Sequence, residues 1–251
     1  MRPIRPSFAP ITFRSSLQPF GPAMIADPPL LQIRRNFARP SAEQLAAFAG
    51  LQTGFIVDAM NGRGALDGRV KPIGPAQAFC GIALPCHTGP NDNLAVFGAL
   101  TVAQPGDVIL AAAEDFATAA VIGDLLLGMM KNTGVAAFVT DGCVRDQQGI
   151  RAVGLACFAA GVTPNSPVRN GPGKVGLPVV IGGVTVGAGD IVVGDEDGVV
   201  VVPFARIDEV IAKLAAVRAA EADLDAKVKA GLKVPPFLQA MVDAGRFEEV
   251  G

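Results

Sequence analysis

The stretch Val121 to Gly149, VIGDLLLGMMKNTGVAAFVTDGCVRDQQG, sets Asp124 near the start of one apolar segment and the pair Arg145-Asp146 just after the next, with twenty residues between Asp124 and Arg145. Arg145 is a permanent cation able to hold an oxygen that gains negative charge, such as that of an enolate. Asp146 is a hard oxygen donor suited to a divalent cation that keeps water and open positions for a substrate. Gly123 permits close approach of backbone. The amides of Leu125 and Leu126 would project from the first turn of a helix whose positive end favours an anion, forming a cradle for a carboxylate. Plainer roles exist for the same residues: Asp124 can cap a helix, and Arg145 can pair with Asp146 or with Asp141.

The elements around these residues decide whether they meet. SAEQLAAF carries a Ser-x-x-Gln capping box from Ser41, and TGFIVDAM reads as a second short helix ending at Gly62 and Gly64. FCGIALPC reads as a strand, NDNLAVFGAL as a helix entered through Asp92 and followed by Pro105-Gly106, and Val108 to Ala113 as an apolar strand. A helix from Gly123 to Asn132, a strand Val135 to Thr140, a helix Arg145 to Val153 and a strand Leu155 to Ala159 follow. LPVVIGGVTVGAGDIVVGDEDGVVVVP reads as a β meander. A C-terminal helix then carries Ile207, Val210, Ile211, Leu214, Val217, Leu224 and Val228 at helical spacing. The pattern predicts an α/β fold with a mainly parallel central sheet, in which ligands gather where strands end and helices begin. Two consecutive βα units bring Asp124 and Arg145-Asp146 to the same edge of that sheet.

Three segments are expected: an N-terminal arm over 1–40, the folded domain over 41–234 and a tail over 235–251. The first thirty residues hold seven prolines and no acid before Asp27. They resemble a transit peptide in composition, but the prolines oppose the amphipathic helix such a peptide forms, so an arm lying over the body or a neighbouring subunit is expected.

Composition excludes several classes of partner. Half of the 251 residues are hydrophobic, and no run reaches the length an uncharged membrane span needs. A formal charge of −2, from 21 basic and 23 acidic residues, gives no footprint for nucleic acid and no polybasic patch for a membrane surface. Cys80, Cys86, Cys143 and Cys157 have no C-x-x-C spacing, and the single His87 completes no zinc set. Scattered thiols fit a reducing cytoplasm. The expected partners are a small molecule and copies of the same chain.

The spacing D-x20-R-D resembles that of the class II pyruvate aldolases acting on 4-hydroxy-4-methyl-2-oxoglutarate and 4-carboxy-4-hydroxy-2-oxoadipate, a group that shares its layered fold with the regulator of ribonuclease activity A. The resemblance runs from about Thr53 to Pro203 through VDAM, NDNLAVFGAL, PGDVILAAA, GDLL, DGCVRD, GLPVVIGGVTVGAGDIVV and DEDGVVVVP. It implies that Asp146 binds Mg²⁺ or Mn²⁺, that Arg145 steadies a pyruvate enolate, and that Asp124 orders water at the metal. It further implies that the Leu125 and Leu126 amides hold the substrate carboxylate beside Gly123, and that the assembly is a homotrimer or homohexamer with sites at subunit boundaries. The implied reaction is retro-aldol cleavage of a 4-hydroxy-2-oxo acid releasing pyruvate, together with decarboxylation of oxaloacetate.

Other residues lie outside that pattern. His87 in CHTGPNDNL reads as a solvent-facing loop residue, and Glu221 stands where an acid borrowed by a neighbouring subunit would be. The DEDG of Asp195 to Gly198 reads as an acidic turn rather than a metal site. No Lys stands in the motif to form an imine, although Lys131 and Lys174 keep covalent catalysis open. A protein-binding regulator without catalysis is the rival from another class. A methyltransferase, a label this family has carried, lacks a glycine-rich nucleotide loop.

Overall fold

Strands and helices alternate through most of the chain because apolar runs of four to nine residues are punctuated by Gly, Pro and capping side chains. The computed structural model describes residues 28–75 and 78–250. Along it lie β1 (Leu31–Ile33), α1 (Ala42–Ala46), α2 (Thr53–Ala59), β2 (Lys71–Pro72), β3 (Phe79–His87), α3 (Leu94–Leu100), β4 (Asp107–Ala112), β5 (Ala120–Ile122), α4 (Asp124–Thr133), β6 (Ala137–Thr140) and β7 (Cys143–Val144). After these come α5 (Gln147–Val153), β8 (Ala156–Ala159), β9 (Gly161–Val162), β10 (Gly173–Val175), β11 (Val179–Ile181), β12 (Val184–Val186), β13 (Ile191–Asp195), β14 (Gly198–Val202), α6 (Ile207–Lys229) and α7 (Pro236–Asp243).

The main sheet has its centre in β3, β4, β6 and β8, which run parallel in that order. Antiparallel partners close it: β13 pairs with the first half of β3 through Ile191↔Ile82 and Gly194↔Phe79, and β10 pairs with the last two residues of β3. The region expected as a meander is therefore two separate hairpins. β11 and β12 form their own two-stranded sheet, while β13 and β14 join the main one.

Period-two alternation sorts β4 between two cores. Ile109 and Ala111 face the layer of α3, α4 and α5, with Leu84, Phe138, Leu127, Met130 and Ile150. Val108 and Leu110 face Val139, Phe158, Ile181 and Val186 on the other side. A third cluster, including Phe48, Ile56, Met60, Val193, Val210 and Leu214, seats α1, α2 and the first half of α6. Its seating is reinforced at α1 by the capping box, in which Ser41 Oγ accepts from the Gln44 amide and Gln44 Oε1 accepts from the Ser41 amide.

Two elements depart from expectation. The helical stripe of α6 is buried at Ile207, Val210 and Leu214 but stands 43% and 55% exposed at Leu224 and Val228, which border an open groove with Gln52 and Phe55. The segment after it, expected as a tail, holds the short helix α7. Residues 1–27, which carry most of the expected arm, lie outside the described part. Leu31 to Ile33 add a parallel strand to β10, and Arg39 forms a two-pronged ion pair with the fully buried Asp107 at 2.7 and 2.9 Å.

Candidate active site

Three of the parallel strands have a continuation. β4, β6 and β8 each run on, after a short break, into β5, β7 and β9, and these form a second parallel sheet in the same order. The second sheet is held tightly: the Arg145 amide donates to the Ile122 carbonyl at 3.0 Å, and the Thr163 amide to the Val144 carbonyl at 2.9 Å. The chain leaving β5 is Gly123-Asp124, that leaving β7 is Arg145-Asp146, and that leaving β9 leads to Ser166. Residues distant in sequence thus line one cleft of about 240 Å³ that includes Gly123, Asp124, Leu125, Leu126, Arg145 and Asp146.

Helix α4 explains the first of these placements. Leu126, Leu127 and Met130 are buried at helical spacing, which turns Asp124 and Leu125 outward. Gly134, at φ 79°, ends the helix in the left-handed conformation. Gly123 is the N-cap and supplies no side chain, so Asp124 is the first helical residue rather than the cap. Its Oδ1 accepts from the Leu125 amide at 2.7 Å. One of the two expected cradle donors is thus already engaged by Asp124, whereas the Leu126 amide belongs to the first turn, whose donors have no partner within the helix.

Asp146 is the N-cap of α5 and sits at φ 56°, ψ 44°, a left-handed conformation that costs a non-glycine residue about 1–2 kcal/mol and that Asp accepts better than most. Its Oδ2 lies 3.2 Å from Arg145 Nε, and neither side chain is buried, at 45% and 37% exposure. Two glycines make this packing possible. A Cβ on Gly123 would collide with Asp146 Oδ2, and one on Gly149 of α5 would collide with the Asp124 carboxylate. Arg145 pairs with Asp146 and not with Asp141, which is buried, accepts from the Ala113 amide at 2.7 Å, and has its carboxyl pushed above the ordinary value by that burial.

Several lining residues carry no sequence signal of their own. Asn93 Nδ2 donates to the Val121 carbonyl at 3.0 Å, while its Oδ1 is buried without a hydrogen-bond partner, an uncommon state for a buried acceptor. The guanidinium of Arg169 stacks 5.3 Å from the Phe97 ring centroid, and Ser166 accepts from Arg145. NDNL marked a helix entry, and nothing in the spacing of NDNL or of TPNSPVRNGP says which cleft it borders.

The residues outside the motif resolve as follows. His87 is not a loop residue but the last of β3, with Nε2 2.9 Å from Glu114. Asp195 accepts from the Thr53 amide and hydroxyl at 2.8 and 2.9 Å, so DEDG is a turn that also caps α2. Lys131 donates to the Val153 carbonyl, Lys174 is exposed on β10, and neither lines the cleft. Glu221 lies on α6 and borders a different groove, with Phe55 and Arg218. Cys86 and Cys157 are buried, which pushes both thiols up to about 12. Among the described residues no three His, Cys, Asp or Glu gather to hold a metal, and no helix is long and apolar enough to cross a membrane.

This geometry has relatives. A family model described as RraA-like, Aldolase/RraA, matches residues 53–201, more than half of the chain. A protein of Halalkalibacterium halodurans named "Putative 4-hydroxy-4-methyl-2-oxoglutarate aldolase" is 37% identical over 169 residues, covering 67% of this chain and 80% of that one. The crystal structure of Streptomyces coelicolor RraAS2, titled an unusual member of the RNase ES inhibitor RraA protein family, superposes with a TM-score of 0.66 at 26% identity, covering 76% of this chain and 100% of that one. The RNA-processing inhibitor RraA from Thermus thermophilis gives 0.57 at 27% identity over 61% and 93%. The chain belongs to the RraA-like family, the group of Aldolase/RraA proteins.

Proposed function

We propose that the protein is a metal-dependent carbon–carbon lyase that cleaves a 4-hydroxy-2-oxo acid to release pyruvate, and that the same site decarboxylates oxaloacetate. The observation that carries this reading is the convergence of a guanidinium, two carboxylates and a helix N-terminus on one cleft. The helix end at Leu126 favours the substrate carboxylate. Arg145 lines the same cleft, beside Gly123 at the start of that helix, where the 2-oxo oxygen would acquire charge as the C3–C4 bond breaks. Hydrogen bonds from a fixed guanidinium to that oxygen are stronger to the enolate than to the ketone, which lowers the barrier. Asp124 orients the water that takes the 4-hydroxyl proton. Oxaloacetate loses CO₂ through the same pyruvate enolate, so one site serves both reactions.

The donor set fits a divalent cation held weakly. Asp146 and Asp124 bring hard carboxylate oxygens to the cleft and neither a thiol nor an imidazole lines it, which suits Mg²⁺ or Mn²⁺ retaining much of its water. Asp146 would hold the ion, with its second oxygen left over from the contact to Arg145. When bound, the cation supplies Lewis-acid polarisation of the 2-oxo group. The family resemblance supports a homotrimer or homohexamer, with an acid such as Glu221 reaching the site of a neighbouring copy, and the scattered thiols support a cytoplasmic location.

A coupled assay for pyruvate, run over a panel of 4-hydroxy-2-oxo acids and oxaloacetate, tests the reading. Turnover is expected with Mg²⁺ or Mn²⁺ and not in excess chelator. Absence of pyruvate from every substrate would instead favour a non-catalytic regulator that binds a protein partner, a reading supported by similarity to an RNA-processing inhibitor and to a member of an RNase ES inhibitor family.

A further inference from the structure

The third wall of the cleft is the loop of residues 163–172, TPNSPVRNGP, which follows β9. Prolines at 164, 167 and 172 restrict its backbone. Both of its ends are tied down. At the near end the Thr163 amide bonds the Val144 carbonyl, Asn165 Nδ2 donates to the Thr118 carbonyl at 2.7 Å, and the Asn165 carbonyl accepts from the Ala120 amide at 2.9 Å. At the far end the buried carboxylate of Asp92 accepts from the amides of Asn170 and Gly171 at 2.5 and 2.9 Å, and from Leu94 of α3 at 2.7 Å. In the middle, the Val168 amide donates to the Asn91 carbonyl at 2.8 Å, and its carbonyl accepts from the Asn93 amide at 3.1 Å. A loop anchored in this way presents Ser166 in a fixed place, and Ser166 Oγ accepts from Arg145 Nη1 at 2.5 Å.

We propose that Ser166 is a positioning residue for Arg145, carried on a loop that Asn165 and Asp92 clamp at either end. This rests on the reading that Arg145 acts on a developing oxyanion. A guanidinium is planar, so contacts at Nε to Asp146 and at Nη1 to Ser166 fix both its place and its plane and leave Nη2 for a ligand. Asp146 alone is a poor holder for this purpose. A divalent cation at its carboxylate draws charge away from Nε, whereas a neutral hydroxyl is indifferent to that change. Ser166 therefore matters most in the metal-loaded state, when Arg145 must act.

The test compares Ser166→Ala and Ser166→Thr with the wild-type protein in three measurements: steady-state pyruvate release with Mg²⁺, calorimetric titration with oxalate and Mg²⁺, and thermal melting. Oxalate is a planar dianion with the charge distribution of pyruvate enolate. In Ser166→Ala, kcat should fall about tenfold, as for one lost hydrogen bond to a charged group, with KM changed less than about twofold. Oxalate affinity should fall by about the same factor. Ser166→Thr keeps the hydroxyl on an exposed position with room for a methyl and should recover most of both losses. Melting temperature should not move. Wild-type kcat in Ser166→Ala, a Thr variant as slow as the Ala variant, or a rise in KM alone would overturn the proposal. Should the wild-type protein release no pyruvate, the lyase reading fails separately, and oxalate binding still decides here: equal affinity in wild-type and Ser166→Ala protein, or none in either, overturns the positioning role.

Discussion

Gly123→Ala isolates the geometry of the charged pair from backbone strain. Gly123 has φ −123° and ψ −170°, extended backbone open to any residue, so a methyl there tests space alone. The added Cβ would strike Asp146 Oδ2 and sit 3.3 Å from both Cγ and Nε of Arg145. Asp146 must swing away, and the 3.2 Å contact to Arg145 opens. The stability effect should be small. The pair is more than a third exposed, worth under about 1 kcal/mol, and Ala is a poorer N-cap than Gly by up to roughly 1 kcal/mol. A loss of about 1–2 kcal/mol lowers the melting temperature by about 2–8 °C for a domain of this size. Displacement of the reacting groups by about 1 Å should lower kcat/KM by about 10². Calorimetric melting beside the pyruvate assay reads both. Gly128→Ala on the same helix, whose Cβ meets nothing within 4 Å, is the control: slightly more stable and unchanged in activity. A Gly123→Ala protein within about twofold of wild-type kcat/KM would refute the close packing of Asp146 over Gly123 as a requirement.

Arg39→Ala should destabilise by about 3–5 kcal/mol, because it leaves the fully buried Asp107 carboxylate with only the Gln104 amide, and urea unfolding measures the loss. Asp141 gives a pH test. Burial raises its folded-state pKa above the ordinary 3.8, so the folded form binds the proton more tightly and this group's contribution to stability falls as pH rises through the interval between the two values. Asp141→Asn keeps an oxygen to accept from Ala113 and loses the buried charge. Its stability relative to wild type should therefore climb as pH rises above about 3.8, and a pH-independent difference would contradict the sign.

The helices and central strands were legible because their apolar residues repeat with helical or alternating period and end at Gly or Pro. That alternation was enough to bring Asp124 and Arg145-Asp146 to one edge, since consecutive parallel strands end on the same side. The second sheet was not legible. β7 and β9 have two residues each, too short for any period, yet they hold the loops in register. Ser166 and Arg169 lie in a loop of Pro, Asn and Gly where sequence spacing says nothing about direction. The stripe through Leu224 and Val228 has helical period, but a period reveals only that a face exists and not what covers it. His87 was read as a loop residue in CHTGPNDNL, one position beyond the expected strand FCGIALPC, whereas β3 runs on through it to pair with Ala112 of β4.

Turnover of Arg145→Ala is the most direct measurement of the central claim, that a guanidinium placed by β7 stabilises the enolate formed on cleavage. Pyruvate release with saturating Mg²⁺ should show kcat reduced by about 10²–10³ with KM little changed, and Arg145→Lys, which keeps the charge without the planar fork, should recover only part of the loss. Wild-type turnover in Arg145→Ala would contradict the account, even in a protein that keeps its fold and its metal dependence.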